Sequence, residues 1–244
     1  MLQIALAPPG TQACTLDITK FHRTCPVIPF HKPWLVLQGR PGQFYIDHTH
    51  PFGAACASSN AGMIANAVVD IWDAEGVRPV PKYEDDLKPF RSPTPDGPFM
   101  DGEYRYDYNR PKMLRRISSL GVPWHKEKGD KAFTFITTFI GYLWDIPQKL
   151  VSLPEPKRQK FHERVRHFLA SFGNQPCTMR DVEKIHGSLC HVAFVHLDGR
   201  SHLPSLSNFA ASFHGDEFIT RRPSHSMITD LTWWLNKLSQ PNVA

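Results

Sequence analysis

Two adjacent carboxylates, Asp85 and Asp86, follow an aromatic residue in the stretch 82–87, between two apolar segments. A third carboxylate, Asp17, lies just inside a β-prone run near the start of the chain. If folding brings these side chains together, they offer hard oxygen ligands for Mg²⁺. Two such ions can bind both the attacking and the leaving oxygen of a phosphoryl displacement. The pattern therefore indicates either a nucleotidyl-transfer site or a solvated turn, which is the commoner role of an Asp-Asp pair.

The composition is that of an ordinary globular chain. Its 244 residues should form one large domain or two small ones, and the net charge of +5 suits a polyanionic partner without requiring one. The five cysteines include no CxxC pair, which indicates a reducing compartment. No apolar run approaches the ~18 residues that span a bilayer, and the N-terminus lacks a secretory signal. We expect an intracellular protein, cytoplasmic or nuclear, with no membrane partner.

Hydrophobic periodicity predicts strands and helices mixed along the first part of the chain. A turn at 39–42 should join two strands, and a helix should end at Gly76. The predicted strands are 34–38, 43–47, 77–80, 133–136, 139–144 and 150–153, and the predicted helices are 59–74 and 109–120.

The periodicity becomes helical after Pro154. Apolar residues recur at helical spacing up to Phe172, and Lys157, Arg158 and Arg164 lie on the remaining surface of that helix. This surface could follow a nucleic-acid backbone, although a solvated polar face explains it as well. Thr178 with Asp181 should cap a second helix, and a last helix is predicted over 227–238. The order of elements predicts an α+β domain over 1–153 and a helical region over 154–244.

Taken in order, these motifs resemble the palm and thumb of a reverse transcriptase, an RNA-directed DNA polymerase. The resemblance is to fungal retrotransposons of the DIRS-like and related kinds in particular, and it covers nearly the whole chain. Residues 16–23 with Pro26 and Val27 resemble the first palm motif, 50–54 the second, and 83–86 the Tyr-x-Asp-Asp hairpin. Residues 121–128 resemble the next motif, and 139–141 resemble the turn that grips the primer.

This resemblance implies a palm of antiparallel sheet packed on helices, a helical thumb-like region, and two-metal-ion nucleotidyl transfer with Mg²⁺ or Mn²⁺. It also implies an RNA or DNA template-primer, dNTPs and other parts of a retroelement polyprotein as partners. The metal site would consist of Asp17, Ile18, Asp85 and Asp86, of which the three aspartates are catalytic. The nucleotide would contact His22, Pro51, Phe52, Gly53, Tyr83 and Lys128. The nucleic acid would contact Phe139, Ile140, Gly141, Lys157, Arg158 and Arg164.

The sequence also departs from the family pattern. His22 stands where an aromatic residue is usual, and the carboxylate of Glu84 should repel a triphosphate. Sixteen residues precede Asp17, so the resemblance implies an N-terminally truncated fragment with the fingers largely missing. Three hypotheses stay open: a reverse-transcriptase-like enzyme, a non-catalytic nucleic-acid-binding remnant of a polymerase fold, and a structural protein. If the first is right, the carboxylates of Asp17 and Asp85 should lie within roughly 4 to 6 Å of each other.

Overall fold

The computed structural model describes residues 2–51 and 53–241. The chain forms two compact units: Met1–Ile140 with Trp144–Lys149, and Gly141–Leu143 with Leu150–Ala244. The predicted domain limits of 1–153 and 154–244 stay a prediction, because compactness alone does not define a functional domain.

The strands are short, and every pairing in the first unit that involves β1 to β9 is antiparallel. Three of these sheets have two strands, β1-β7, β3-β4 and β8-β9, and one has three strands in the order β2-β6-β5. The strands along the described chain are β1 (Gln12–Ala13), β2 (Leu16–Asp17), β3 (Val36–Gln38), β4 (Phe44–Ile46), β5 (Lys82–Tyr83), β6 (Asp86–Leu87), β7 (Phe90–Arg91), β8 (Phe99–Asp101), β9 (Tyr104–Tyr106), β10 (Ile136–Phe139), β11 (Tyr142–Asp145), β12 (Leu150–Ser152), β13 (Cys177–Thr178) and β14 (Thr220–Arg221).

Helix α2 packs in the core of the first unit, and helices form most of the second. The α-helices of the described chain are α1 (Leu2–Ala5), α2 (Ala57–Ala74), α3 (Arg110–Arg115), α4 (Glu155–Phe172), α5 (Met179–Val192), α6 (Pro204–Ala211) and α7 (His225–Ser239). Short 3-10 helices occupy Phe21–Thr24, Pro29–Trp34, Ser118–Leu120 and Leu197–His202.

The core of the first unit packs α2 against the strands that carry the acidic residues. Its buried members include Leu16 of β2, Leu87 of β6 and Val68 of α2. The largest is Trp72, which is fully buried, stacks on Trp124 with ring centroids 5.9 Å apart, and donates its indole N–H to the Met113 carbonyl at 3.1 Å. This side chain joins α2 to α3 and to the chain that follows α3.

The predictions for several elements of the first unit are wrong. The strand predicted over 133–136 shares only Ile136 with β10, and the strand predicted over 139–144 includes the turn at 140–141 that precedes β11. Residues 77–80 form no strand, because Pro79 and Pro81 have no amide donor, and their carbonyls instead accept from the amides of Phe90 (3.0 Å) and Lys88 (2.9 Å). The predicted helix 109–120 ends as an α-helix at Arg115. There the hydroxyl of Ser118 donates to the Arg115 carbonyl and competes with the helical ladder.

The second unit is a helical bundle. Helix α4 packs against α5 and α7, and α6 packs against α5 and α7. Thr178 and Asp181 form the predicted capping box at the start of α5, with side chain and backbone bonded in both directions. Helix α6 was not predicted. The buried face of this bundle contains Phe161, Val165, Phe168, Val182, Ile185, Leu189, Leu206, Phe209, Met227, Leu231, Trp234 and Leu238.

The predicted α+β class, with small antiparallel sheets packed on helices, is confirmed. Within the part of the chain that the structure describes, no helix is both long and apolar enough to cross a bilayer.

The burial of Trp72 leads to a test of this core. Trp72→Phe keeps an aromatic ring but removes the buried indole N–H that donates to the Met113 carbonyl, and it opens space beside Trp124. We expect a loss of about 2 to 3 kcal/mol in the free energy of unfolding, measured with urea. Met63→Ala on the same helix is the control, because Met63 is 67% exposed and its loss should change stability by less than ~0.5 kcal/mol. Equal effects of the two substitutions would contradict this assignment.

Candidate functional site

The acidic motif forms a tight hairpin. Strands β5 and β6 pair antiparallel with Tyr83 opposite Asp86, so Glu84 and Asp85 make the two-residue turn. Glu84 has a φ of 52°, in the left-handed region that favours glycine. The side chain of Tyr83 is exposed. The Tyr-x-Asp-Asp segment is therefore a hairpin, and Asp85 lies at its tip.

The first acidic strand pairs with this hairpin. Leu16 of β2 lies opposite Leu87 of β6, and Asp17 lies opposite Asp86. Because successive side chains of a strand point to opposite faces, the two leucines share the core face and the two aspartates share the other. The amide of Ile18 also donates to the Asp85 carbonyl at 3.1 Å. The sheet thus brings together the three carboxylates that the sequence singled out.

A third segment, 123–130, lies along β2. The amide of His125 donates to the Asp17 carbonyl at 2.8 Å, and Lys128 Nζ lies 3.2 Å from Asp17 Oδ2. Gly129 permits the close approach: its φ is +78°, and a Cβ there would lie 2.6 Å from the Thr15 carbonyl oxygen. Asp130 completes the attachment, because its Oδ2 accepts from both the amide and the hydroxyl of Thr15 at 2.8 Å.

These segments surround an open pocket of about 450 Å³. Its wall combines carboxylates from β2 and from the turn of the acidic hairpin with cationic and imidazole groups from the flanking chain. The lining residues are Asp17, Ile18, Thr19, Lys20, Phe21, His22, Glu84, Asp85, His125 and Lys128. Lys20 and His125 were not predicted as site residues. The spacing of the sequence does not indicate them, because only the folding of β2 and the segment 123–130 places them at this pocket.

The carboxylates crowd one another. Partial burial first, and then the charges of Asp85 and Asp17, raise the pKa of Asp86 to about 6, while the charge of Lys128 opposes this rise. The side chain of Lys128 is 63% exposed, and its ammonium contacts Oδ2 of Asp17. In the described part of the chain no group of three or more His, Cys, Asp or Glu side chains has an arrangement ready to hold a metal ion. The predicted separation of the Asp17 and Asp85 carboxylates stays a prediction.

The Pro-Phe-Gly motif precedes α2. Pro51 is half-buried, and Gly53 is exposed with a φ of 84°. Phe52 lies outside the described residues. Neither Pro51 nor Gly53 lines the pocket, whereas His22 does and places its Nε2 3.2 Å from the hydroxyl of Ser58 on α2.

The predicted primer-gripping turn, 139–141, lies between β10 and β11. Ile140 and Gly141 both have positive φ, 46° and 81°. Phe139 is buried and packs edge-on against Trp144, with ring centroids 6.3 Å apart. Beside these rings lies a residue that the sequence analysis missed: the ammonium of Lys88 is buried 3.7 Å from the centroid of the Trp144 ring. Burial lowers the pKa of Lys88 to about 7.

The three predicted nucleic-acid contacts on α4 all have partners inside the second unit. Lys157 Nζ donates to the Gly141 carbonyl at 3.2 Å. Arg158 donates to Glu155 and to the Leu238 carbonyl, and Arg164 donates to the Ser188 hydroxyl. Two further cations of α4, Lys160 and Arg166, are exposed, and Arg166 forms an ion pair with Glu163. A solvated helix face whose side chains also hydrogen-bond to neighbouring elements of the bundle accounts for these contacts. The nucleic-acid role of these residues stays a prediction.

The raised pKa of Asp86 predicts a pH dependence of stability. Between its ordinary value of 3.8 and about 6, the folded chain keeps a proton that the unfolded chain releases, so stability falls as pH rises through this window. Asp86→Asn removes the charge and should stabilise the fold at pH 7.5 by about 1 to 2 kcal/mol, with little effect near pH 4. Urea unfolding at several pH values measures this, with Asp70→Asn at an exposed position of α2 as the control. Parallel stability curves for wild type and Asp86→Asn would contradict the prediction.

No protein-family model matches this chain, and no curated protein matches it. Solved structures do resemble it. A foamy viral protease-reverse transcriptase in complex with an RNA/DNA hybrid gives a TM-score of 0.63 at 14% sequence identity, covering 93% of this chain and 27% of that chain. The dRH form of the foamy viral protein with double-stranded DNA gives a TM-score of 0.61 at 13% sequence identity, covering 93% of this chain and 35% of that chain. A foamy viral protease-reverse transcriptase in complex with double-stranded DNA gives a TM-score of 0.59 at 14% sequence identity, covering 98% of this chain and 44% of that chain.

This chain therefore spans less than half of the length of each of these solved chains. Identities of 13 to 14% show the fold alone. The α+β arrangement described above is a reverse-transcriptase-like fold.

Proposed function

We propose that this chain is the reverse-transcriptase-like domain of a retroelement, carrying out template-directed nucleotidyl transfer with Asp17, Asp85 and Asp86 as its catalytic carboxylates. One observation carries the proposal: the pairing of β2 with β6 sets Asp17 opposite Asp86 while Asp85 lines the same open pocket. Descent from a fungal element of the DIRS-like kind is part of this proposal and rests on the motifs of the sequence.

The donor set is suited to a divalent cation. Carboxylate oxygens are the ligands that Mg²⁺ and Mn²⁺ prefer. The raised pKa of Asp86 results first from partial burial and then from the charges of Asp85 and Asp17, which Lys128 only partly offsets. Asp17, Asp85 and Asp86 would hold the ions, with the Ile18 backbone beside them. To bind them, Asp17 has to exchange its contact with Lys128 for the cation. Such ions would lower the pKa of a primer hydroxyl and neutralise a triphosphate.

The remaining residues bind and position. Lys128, once released from Asp17, has an exposed ammonium able to reach a phosphate, and His22 and Lys20 line the same pocket. We assign the dNTP to this pocket together with Tyr83 and the turn 51–53. We assign the template-primer to residues 139–141 and to the basic residues of α4. The foamy viral structures with RNA/DNA hybrid and double-stranded DNA support nucleic acid as the partner. Other parts of a retroelement polyprotein complete the proposed set of partners.

A second function is favoured by the charges at the hairpin tip. Glu84 lines the pocket next to Asp85, and its carboxylate opposes the approach of a triphosphate. A chain that binds nucleic acid without polymerising would keep the basic helix α4 and need no cation at Asp17. In that case duplex binding should be retained and should weaken steeply with salt.

Primer extension tests the catalytic proposal. The full chain, a primed RNA template, dNTPs and Mg²⁺ should give template-dependent extension. Asp17→Asn and Asp85→Asn should each reduce the rate by at least about 10²-fold, because each removes charge that faces the reacting phosphate. Asp96→Asn, at an exposed loop position outside the pocket, should leave the rate unchanged. Absence of extension, with salt-sensitive duplex binding retained, would contradict catalysis by this chain and support the second function.

Cation binding can be measured without activity. Mg²⁺ that binds only the folded chain should raise its melting temperature. The rise should be larger at pH 8 than at pH 5, because Asp86 is protonated below about pH 6 and a proton competes with the cation. Asp17→Asn should abolish most of the rise, while Asp96→Asn should not. A Mg²⁺ effect that is the same at both pH values and in both variants would exclude this pocket as the cation site.

A further inference from the structure

The β3-β4 hairpin and the 3-10 helix before it hardly contribute to the core. None of residues 28–46 is buried. Trp34 is 82% exposed, Phe44 67% and Leu37 57%. Contiguous apolar surface of this kind is rare on a chain that functions alone, and it typically marks an interface.

Both faces of the hairpin are apolar. Val36 pairs with Ile46 and Gln38 with Phe44 on one face, and Leu37 pairs with Tyr45 on the other. An isolated two-stranded hairpin is marginally stable in water unless something covers at least one of its faces. In the described chain the sheet has only these two strands, so the outer edge of each strand leaves its amides and carbonyls open for pairing.

The hairpin is nevertheless held in position at its base. Arg23 forms an ion pair with buried Asp47, whose amide donates to the Leu35 carbonyl at 2.9 Å. The amide of Val27 donates to the His48 carbonyl at 3.0 Å. The apolar faces and open edges therefore belong to a fixed element, and a partner would find a preformed surface.

Charge narrows the choice of partner. Residues 28–46 contain Lys32 and Arg40 and not one Asp or Glu. Arg40 stands in the turn of the hairpin, and Lys32 lies in the 3-10 helix that leads into it. A second copy of this chain would bring the same cations to the interface, whereas an acidic partner would neutralise them.

We propose that the β3-β4 hairpin is a strand-addition site for an acidic segment of another polypeptide. The partner strand pairs with an open edge of the hairpin and extends the apolar face of Val36, Phe44 and Ile46 with apolar side chains of its own, and its carboxylates meet Arg40 and Lys32. The aliphatic pair Val36 and Ile46 favours polypeptide over single-stranded nucleic acid, because bases stack on rings and gain little from branched aliphatic groups. This site is independent of the catalytic proposal.

Matched peptides test the proposal on the full chain. The probe is acetyl-Glu-Glu-Val-Thr-Val-Thr-Val-Glu-Glu-amide, titrated while backbone amide signals are followed by NMR. We expect saturable binding with shifts confined to residues 28–48. A Lys-flanked peptide of the same core tests charge, and a peptide N-methylated at alternate core residues tests main-chain pairing. Each should bind at least about tenfold more weakly, a difference of ~1.4 kcal/mol.

Variants of the chain test the apolar face. Val36→Thr with Ile46→Thr keeps β-branching and β-propensity but makes both side chains polar, and should weaken binding by about tenfold or more. Met100→Thr, at another exposed apolar position, should not. The peptide controls stand whether or not the double variant folds.

Other outcomes would overturn the proposal. They are no binding of the Glu-flanked peptide at millimolar concentration, equal binding of all three peptides, and shifts outside the hairpin. Hairpin shifts with oligo-dT in place of the peptide would assign the surface to nucleic acid. Concentration-dependent dimerisation in sedimentation that Val36→Thr with Ile46→Thr abolishes would assign it to a second copy.

Discussion

The pairing of β2 with β6 is the constraint on which the rest of the first unit depends. Leu16 and Leu87 are both almost fully buried, and they lie opposite each other across the sheet. A register slip of one residue would exchange these leucines for Asp17 and Asp86 and turn carboxylates into the core. The hydrophobic register on one face of the sheet therefore dictates the crowding of charge on the other. The two acidic segments are far apart in sequence, and they meet because the leucines beside them pair in the core.

Much of the fold could be predicted from local pattern. Helix α2, the capping box at Thr178 and the β3-β4 hairpin each depend on residues close in sequence, and the structure has all three. The prediction failed where tertiary partners decide. The carbonyls of Pro79 and Pro81 accept from the chain beyond the acidic hairpin, which no periodicity of 77–80 reveals. Helix α6 was missed because its eight residues bury only Leu206 and Phe209, too few to make a helical pattern.

The candidate site was predicted in part, for the same reason. Asp17, Asp85 and Asp86 stood out because three carboxylates offer hard oxygen ligands for Mg²⁺ and because their motifs occur in the order seen in a known family. Lys88 did not, since a lysine next to a proline normally indicates an exposed turn. Its ammonium is instead enclosed by the rings of Phe90, Phe139 and Trp144, at 5.1, 5.5 and 3.7 Å from their centroids. These contacts connect the end of the acidic hairpin to the strands around residues 139–141, a link that only the folded chain contains.

Three features that are unfavourable for folding stability lie within a few residues of the acidic hairpin. Glu84 adopts a left-handed φ without being glycine, Asp86 keeps a carboxylate beside two others, and Lys88 buries an ammonium two residues later. Each of these features is unfavourable for stability alone. A glycine at 84, an asparagine at 86 and a methionine at 88 would relieve all three costs without changing the leucine register. Sequences depart from local consistency in this way mainly at functional sites. The concentration of strain and charge at this hairpin therefore argues against a solvated turn and agrees with the proposed function.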